Sequence, residues 1–382
     1  GHYRATPATL VRQARAEGLN LVENLIVNKE DRIPDIGLFT GVPDPVSTPD
    51  LLLLHDQEYH TSWWGHLGLL GLTRHVILPG YAGYVGTAAA SLFPDNGTVA
   101  DLARAQGGLA GYVHPFDEYP EPSDTTVPLT DGLPMDVALG KVDYLEVVGF
   151  SDHLATSRVW YRLLNCGFRL PAGAGTDAMT NYASLRGPVG TNRVYVAAPP
   201  PMDRARFYAA LRAGKTFATN GPLLQFSLGG LPVGGEVRLP AGGGRLSARV
   251  WLRSIVPLDH LEIVGNGAVV ATIPLGADRT GADTTVTLDV SGSGWYVLRA
   301  WAGRAEEPVL DNYPFASTSP IYVTVGGAPV RSREDAGYFL RWLDRLEAAA
   351  SAHQGWNTSA ERRLVLDHIR AAREVFRSRA ED

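Results

Sequence analysis

The sequence predicts an α/β domain built on a parallel sheet or barrel, followed by a β-sandwich and a C-terminal pair of helices. Three observations carry this expectation. Short apolar runs at residues 19–27, 51–54, 109–113, 144–148 and 170–174 alternate with helical or loop stretches, which is the pattern of successive βα units. From residue 223 to 325 the pattern changes to period two, as in Leu246-Ser247-Ala248-Arg249-Val250-Trp251-Leu252, with Gly-rich turns between runs. Residues 333–350 and 359–377 then set Phe339, Leu340, Leu343 and Leu346, and after them Leu364, Ile369 and Val375, at helical spacing. A chain of 382 residues accommodates two or three units with cores of their own, expected at 1–221, 222–330 and 331–382.

The first element is a helix. Thr6 is its N-cap, Pro7 its first helical residue and Gly18 lies just past its end. This helix feeds the buried strand at 19–27, and the strand that would precede it is expected upstream of Gly1. Residues 99–106 have helical composition, and Gly107-Gly108 stops them. The long inserts 79–96 and 117–134, rich in Gly, Pro, Tyr and Thr, read as loops over a site. Residues 199–214 give one more amphipathic helix around Phe207 and Leu211. The turn Thr219-Asn220-Gly221-Pro222 then opens the sandwich, in which Asn266-Gly267 marks a tight hairpin between residues 261–264 and 269–273.

Composition narrows the function. The net charge is −6 with cations dispersed singly, which argues against a nucleic-acid partner. No apolar run approaches a membrane span. A small-molecule substrate is the expected partner. Cys166 is the only cysteine, so an intrachain disulfide, a thiolate zinc cluster and a CxxC redox pair are all excluded, and any metal must be held by nitrogen and oxygen. The compartment stays open, because disulfide-free proteins occur in cytoplasm and periplasm alike. There is no Gly-x-Ser-x-Gly elbow or Walker loop, which removes the usual serine-hydrolase and nucleotide readings.

Candidate chemistry gathers at strand ends, where βα folds build their sites. His114 follows the run 109–113, and Asp177 follows Leu170-Pro171-Ala172-Gly173-Ala174-Gly175. Glu58 follows residues 51–54 within His55-Asp56-Gln57-Glu58-Tyr59-His60, and His66 comes eight residues later. Imidazoles with carboxylates suit divalent first-row metals. Each residue also has a plainer reading. Glu58 can be a carboxylate satisfied by a buried arginine, His114 a loop cap before Pro115, His66 part of a strand, and Asp177 the residue that starts a helix. Trp63, Trp64, Tyr81 and Tyr84 either line a pocket or fill a core. Arg186 and Arg193 either bind an anionic group or pair on the surface. His55, His75, His260, His353 and His368 read as structural or surface residues, and Cys166 as packing.

Several segments together resemble the motifs of the PHP superfamily of metal-dependent hydrolases, in its CehA/McbA-like branch. They are Gln57-Glu58 with Gly65-His66-Leu67-Gly68-Leu69-Leu70, then Gly111-Tyr112-Val113-His114-Pro115, then Gly173-Ala174-Gly175-Thr176-Asp177. Ala213-Gly214-Lys215-Thr216-Phe217-Ala218-Thr219-Asn220-Gly221-Pro222 is similar to the segment by which that branch leaves its catalytic domain. The resemblance implies a distorted (βα) barrel of PHP type, here lacking its first strand, that holds one to three divalent ions (Zn, Mn or Fe). It implies hydrolysis of a phosphoester, amide or carbamate-type ester through a metal-activated water. Glu58 would be the bridging carboxylate, His66 and His114 imidazole ligands, and Asp177 a carboxylate ligand that also orients the water. His2 would match the third histidine after the family's opening HxH pair, and His60 or His153 would supply further ligands. Three positions depart from the pattern. The HxH pair is absent, Leu25-Ile26-Val27-Asn28 stands where Thr-Asp-His is common, and Asp177-Ala178-Met179 replaces Asp-x-His. These departures leave a rival reading, a non-catalytic carbohydrate- or protein-binding module with a degenerate metal site.

Overall fold

The computed structural model describes residues 5–27, 36–76, 82–180, 187–201 and 203–381. Its architecture is mixed α/β: a curled half-barrel sheet, further sheets that are largely antiparallel, and two C-terminal helices. The half-barrel runs in chain order through β1 (Leu21–Ile26), β2 (Leu52–Tyr59), β3 (Leu67–Leu70), β4 (Leu109–Tyr112), β5 (Tyr144–Val148) and β6 (Ala172–Ala174). All five apolar runs of the sequence are strands. β3 was not among them; it runs antiparallel between β2 and β4, while β1 and β2, and β4, β5 and β6, are parallel neighbours. The carboxyl ends of five strands and the amino end of β3 therefore share one edge. β2 also extends to Tyr59, so Glu58 lies within the strand and not beyond it.

Local chemistry explains the helices. In α1 (Pro7–Ala16) the Thr6 hydroxyl accepts the Thr9 N–H, and Gly18 takes the left-handed conformation at φ +66°. α2 (Asn96–Arg104) starts earlier than its composition suggests, because Asp95 caps it through the Thr98 N–H. α3 (Leu133–Ala138) begins at the end of the second long insert, and α4 (His153–Asn165) packs on β5. Three glycines, Gly68 on β3, Gly111 on β4 and Gly173 on β6, surround the Tyr144 ring. A Cβ at any of them would collide with that ring, and its hydroxyl donates to the Gly68 carbonyl at 3.1 Å.

The chain continues through β7 (Arg193–Val196), α5 (Arg204–Arg212) and β8 (Thr216–Thr219) into β9 (Leu223–Leu228), β10 (Leu231–Pro232), β11 (Glu236–Leu239), β12 (Gly244–Arg253), β13 (His260–Gly265), β14 (Ala268–Thr272), β15 (Gly281–Val290), β16 (Gly294–Trp301), β17 (Phe315–Thr318) and β18 (Ile321–Val325). One sheet has the order β10-β9-β12-β15. The other has the order β11-β18-β16-β17-β8-β7, with β13 pairing β16 and β14. β7 and β8 thus precede Gly221 in sequence and yet belong to the second sheet. The hairpin at Asn266-Gly267 forms with both residues at positive φ.

α6 (Arg333–Ala352) and α7 (Ser359–Ala380) fold back onto the two inserts. Tyr338 donates to Pro120 O, Trp342 to Asp131 O and His353 to Ala90 O, and His368 Nδ1 lies 2.6 Å from Asp95 Oδ2. One apolar core contains Leu145 of the half-barrel, Trp295 and Phe315 of the second sheet, and Phe339 and Phe376 of the tail. No helix among the described residues is long and apolar enough to cross a membrane.

Candidate metal centre

The shared edge of the half-barrel collects the site. Glu58 is the penultimate residue of β2 and only 3% exposed. His66 sits immediately before β3, so the reversed direction of that strand is what brings it to the same edge. His114 follows β4, and the Val113 N–H donating to His66 O ties the two histidine segments together. Glu58 Oε1 lies 3.1 Å from His66 Nδ1 and 3.4 Å from His114 Nε2. One carboxylate oxygen and two ring nitrogens thus stand within 4.8 Å of one another.

The cluster fits a divalent ion by two tests. First, Glu58 Oε1 and His66 Nδ1 are buried and face each other at 3.1 Å without a well-aligned hydrogen bond, a charge pairing that a ligand would complete. Second, donors each about 2.0–2.2 Å from one zinc ion, at angles between 90° and tetrahedral, lie about 3.0–3.5 Å apart. The two separations from Glu58 Oε1 fall in that range, and the two ring nitrogens lie within 4.8 Å of each other. The N₂O set suits zinc, manganese or iron, and three protein donors leave coordination positions open.

Electrostatics agree with a cation-seeking site. Burial alone would raise the Glu58 pKa, but the imidazoles of His114 and His66 outweigh it and hold the carboxyl well below its usual range. Burial opposes the charged form of His114, yet Glu58, then Glu146 and Asp177, push its pKa up to about 9. His114 and Asp177 both have positive φ, +33° and +51°, which for residues with a Cβ costs about 1–3 kcal/mol each. Asp177 Oδ2 comes within 4.0 Å of His114 Nε2.

The remaining sequence candidates are distributed as follows. The His60 ring lies against His66, tilted by 34° with centroids 3.7 Å apart, beside the cluster and outside its mutual donor set. His153 is elsewhere: it begins α4, is fully buried, and its Nε2 faces Asp311 Oδ2 at 3.0 Å in a network with Asn220. It joins α4 to the loop before β17 and does not supplement the centre. His2, Asn28, Tyr81 and Arg186 lie outside the described residues. Arg193 pairs with Glu17, Trp64 is core with its indole N–H on Leu92 O, and Cys166 is buried. His353 and His368 anchor the tail to the first insert, a contact their sequence surroundings did not reveal.

A cavity of about 310 Å³ opens beside the cluster, lined by Glu58, His114 and Asp177, and by apolar side chains of β1, α1 and α5. Two acids that sequence reading passed over also line it. Glu146 of β5 accepts the His114 backbone N–H on Oε2 at 2.8 Å, and burial raises its pKa to about 7. Glu23 of β1 takes the Tyr208 hydroxyl at 2.7 Å; burial and the neighbouring Asp56 push its pKa well up. The available signal was an acid inside an apolar strand run, Tyr144-Leu145-Glu146-Val147-Val148 and Leu21-Val22-Glu23. Compared with known protein families, curated proteins and solved structures, the chain matches none.

Proposed function

We infer that the chain is a metal-dependent hydrolase acting on an ester, amide or carbamate, or phosphoester bond, on a half-barrel of the PHP type in its CehA/McbA-like form. The observation that supports this reading is the buried Glu58 Oε1 facing His66 Nδ1 at 3.1 Å and His114 Nε2 at 3.4 Å at the wall of a cavity. Glu58, His66 and His114 hold the ion. A bound divalent ion supplies Lewis acidity, lowering the pKa of coordinated water and polarising an oxygen of the scissile group. Asp177, which lines the same cavity with its Oδ2 4.0 Å from His114 Nε2, would orient a water there and take up its proton. His60 packs its ring against His66. Apolar side chains of β1, α1 and α5 give the substrate an apolar wall beside the acids.

The test pairs elemental analysis with turnover of chromogenic ester, carbamate and phosphoester substrates, for wild type, Glu58→Ala and His114→Ala. The reading expects wild type to hold at least one ion and hydrolyse one of these classes, and both variants to lose metal and turnover together. Full occupancy in both variants removes the assignment. An occupied wild type that turns over none of the substrate classes would favour the binding-module reading.

A further inference from the structure

We propose that Glu146 is the positioning residue of this centre, holding His114 in its unusual backbone conformation from behind. The inference rests on the reading of His114 as a ligand, and its evidence is separate from the donor set. His114 turns through φ +33° directly before Pro115, and its N–H is fixed by Glu146 Oε2 at 2.8 Å. A residue with a Cβ at positive φ is strained, and a bond from its N–H to a fixed acceptor helps to hold that conformation.

Two glycines from neighbouring loops make the slot in which that acceptor sits. A Cβ at Gly175 would overlap Glu146 Oε1, and a Cβ at Gly149 would come within 2.9 Å of Oε2 and 3.2 Å of His114 Cα. Neither Gly149 nor Gly175 has positive φ, so backbone conformation does not demand glycine at either position. Space for this carboxylate does. Glu146 is 5% exposed, and its accepted bond comes from the main chain of a metal-site residue. It acts on the ion through His114, as outer-sphere partners of metal sites do.

The experiment compares Glu146→Gln, Glu146→Ala and Gly175→Ala with wild type by two readouts, after circular dichroism has shown each to be folded. The first, amide hydrogen exchange at His114 in metal-free protein, does not depend on any metal. Wild type and Glu146→Gln, whose amide oxygen still accepts, stay protected; Glu146→Ala and Gly175→Ala exchange at least about tenfold faster. The second is cobalt(II) titration followed by the visible d–d bands. Glu146→Ala and Gly175→Ala bind about 10–100-fold more weakly with altered bands, while Glu146→Gln stays near wild type.

Unchanged exchange at His114 in Glu146→Ala overturns the proposal, and so does a Glu146→Gln variant that loses as much as the alanine. If wild type and every variant bind no cobalt while exchange follows the expected order, the positioning role stands and the metal reading fails. If Glu146→Ala does not fold, Gly175→Ala against Glu146→Gln gives the same decision.

Discussion

Metal affinity should depend steeply on pH, because His114 carries a proton in the metal-free protein. Four groups face its ring or main chain: Glu58 from β2, His66 from the turn before β3, Glu146 from β5 and Asp177 after β6. Burial works against the imidazolium, and the three carboxylates raise its pKa to about 9 against burial. Glu58 is held well below its ordinary range and stays ionised throughout. A metal must displace the His114 proton. With a pKa near 9 about 1% of sites are deprotonated at pH 7 and about 10% at pH 8, so apparent affinity rises about tenfold per unit, worth about 1.4 kcal/mol each, and levels off above pH 9. The metal-free protein shows the opposite sign. A raised histidine pKa contributes stability that is full below about pH 6.5 and is lost as pH climbs through 9. The assay is competition for zinc against a chromophoric chelator at pH 7, 8 and 9, with Glu58→Gln alongside. In that variant the main anion beside His114 is gone, so its slope should flatten while its affinity falls at every pH. A change of less than about threefold in wild type between pH 7 and 9 would refute the protonated-ligand reasoning.

Three further outcomes follow from particular contacts. His153→Ala should lower thermal stability by breaking the Asp311 and Asn220 network while leaving metal stoichiometry unchanged; loss of metal would return His153 to the ligand set. Gly111→Ala sets a methyl against the Tyr144 ring in a paired strand. It should destabilise by about 3 kcal/mol or more, and a denaturant midpoint within error of wild type would contradict the packing described. The bond from Asp95 raises the His368 pKa, burial opposing it, so its contribution is present below about pH 6.5 and disappears as pH rises through the raised value. The melting-temperature gap between wild type and His368→Gln should accordingly be wider at pH 6 than at pH 9.

Much of the half-barrel was legible, because its strands are apolar runs bounded by caps and glycines, signals that are local in sequence. Thr6, Pro7 and Gly18 bounded α1 correctly for the same reason. Long-range pairing was not legible. Leu67-Gly68-Leu69-Leu70 carries no local sign of its pairing, yet its antiparallel insertion between β2 and β4 is what delivers His66 to Glu58. β7 and β8 carry no mark of belonging to a sheet completed about a hundred residues later, at β17 and Phe315. Of the clustered residues, His114 stood at the end of an apolar run and Glu58 a few residues after one, while His66 was marked by its type and by the motif around it. His153 had the same credentials and went to a different network, since a histidine opening a helix looks alike whether it meets a metal or an aspartate. Glu146 was hidden because its partner is a backbone amide, which no residue pattern records.

The most direct test of the central claim is an anomalous difference map from crystals of this protein grown with zinc and measured at the zinc absorption edge. The account predicts a peak about 2.0–2.2 Å from Glu58 Oε1, His66 Nδ1 and His114 Nε2 together. Zinc bound only at other sites, with Glu58 hydrogen-bonded to an imidazole instead, would contradict it.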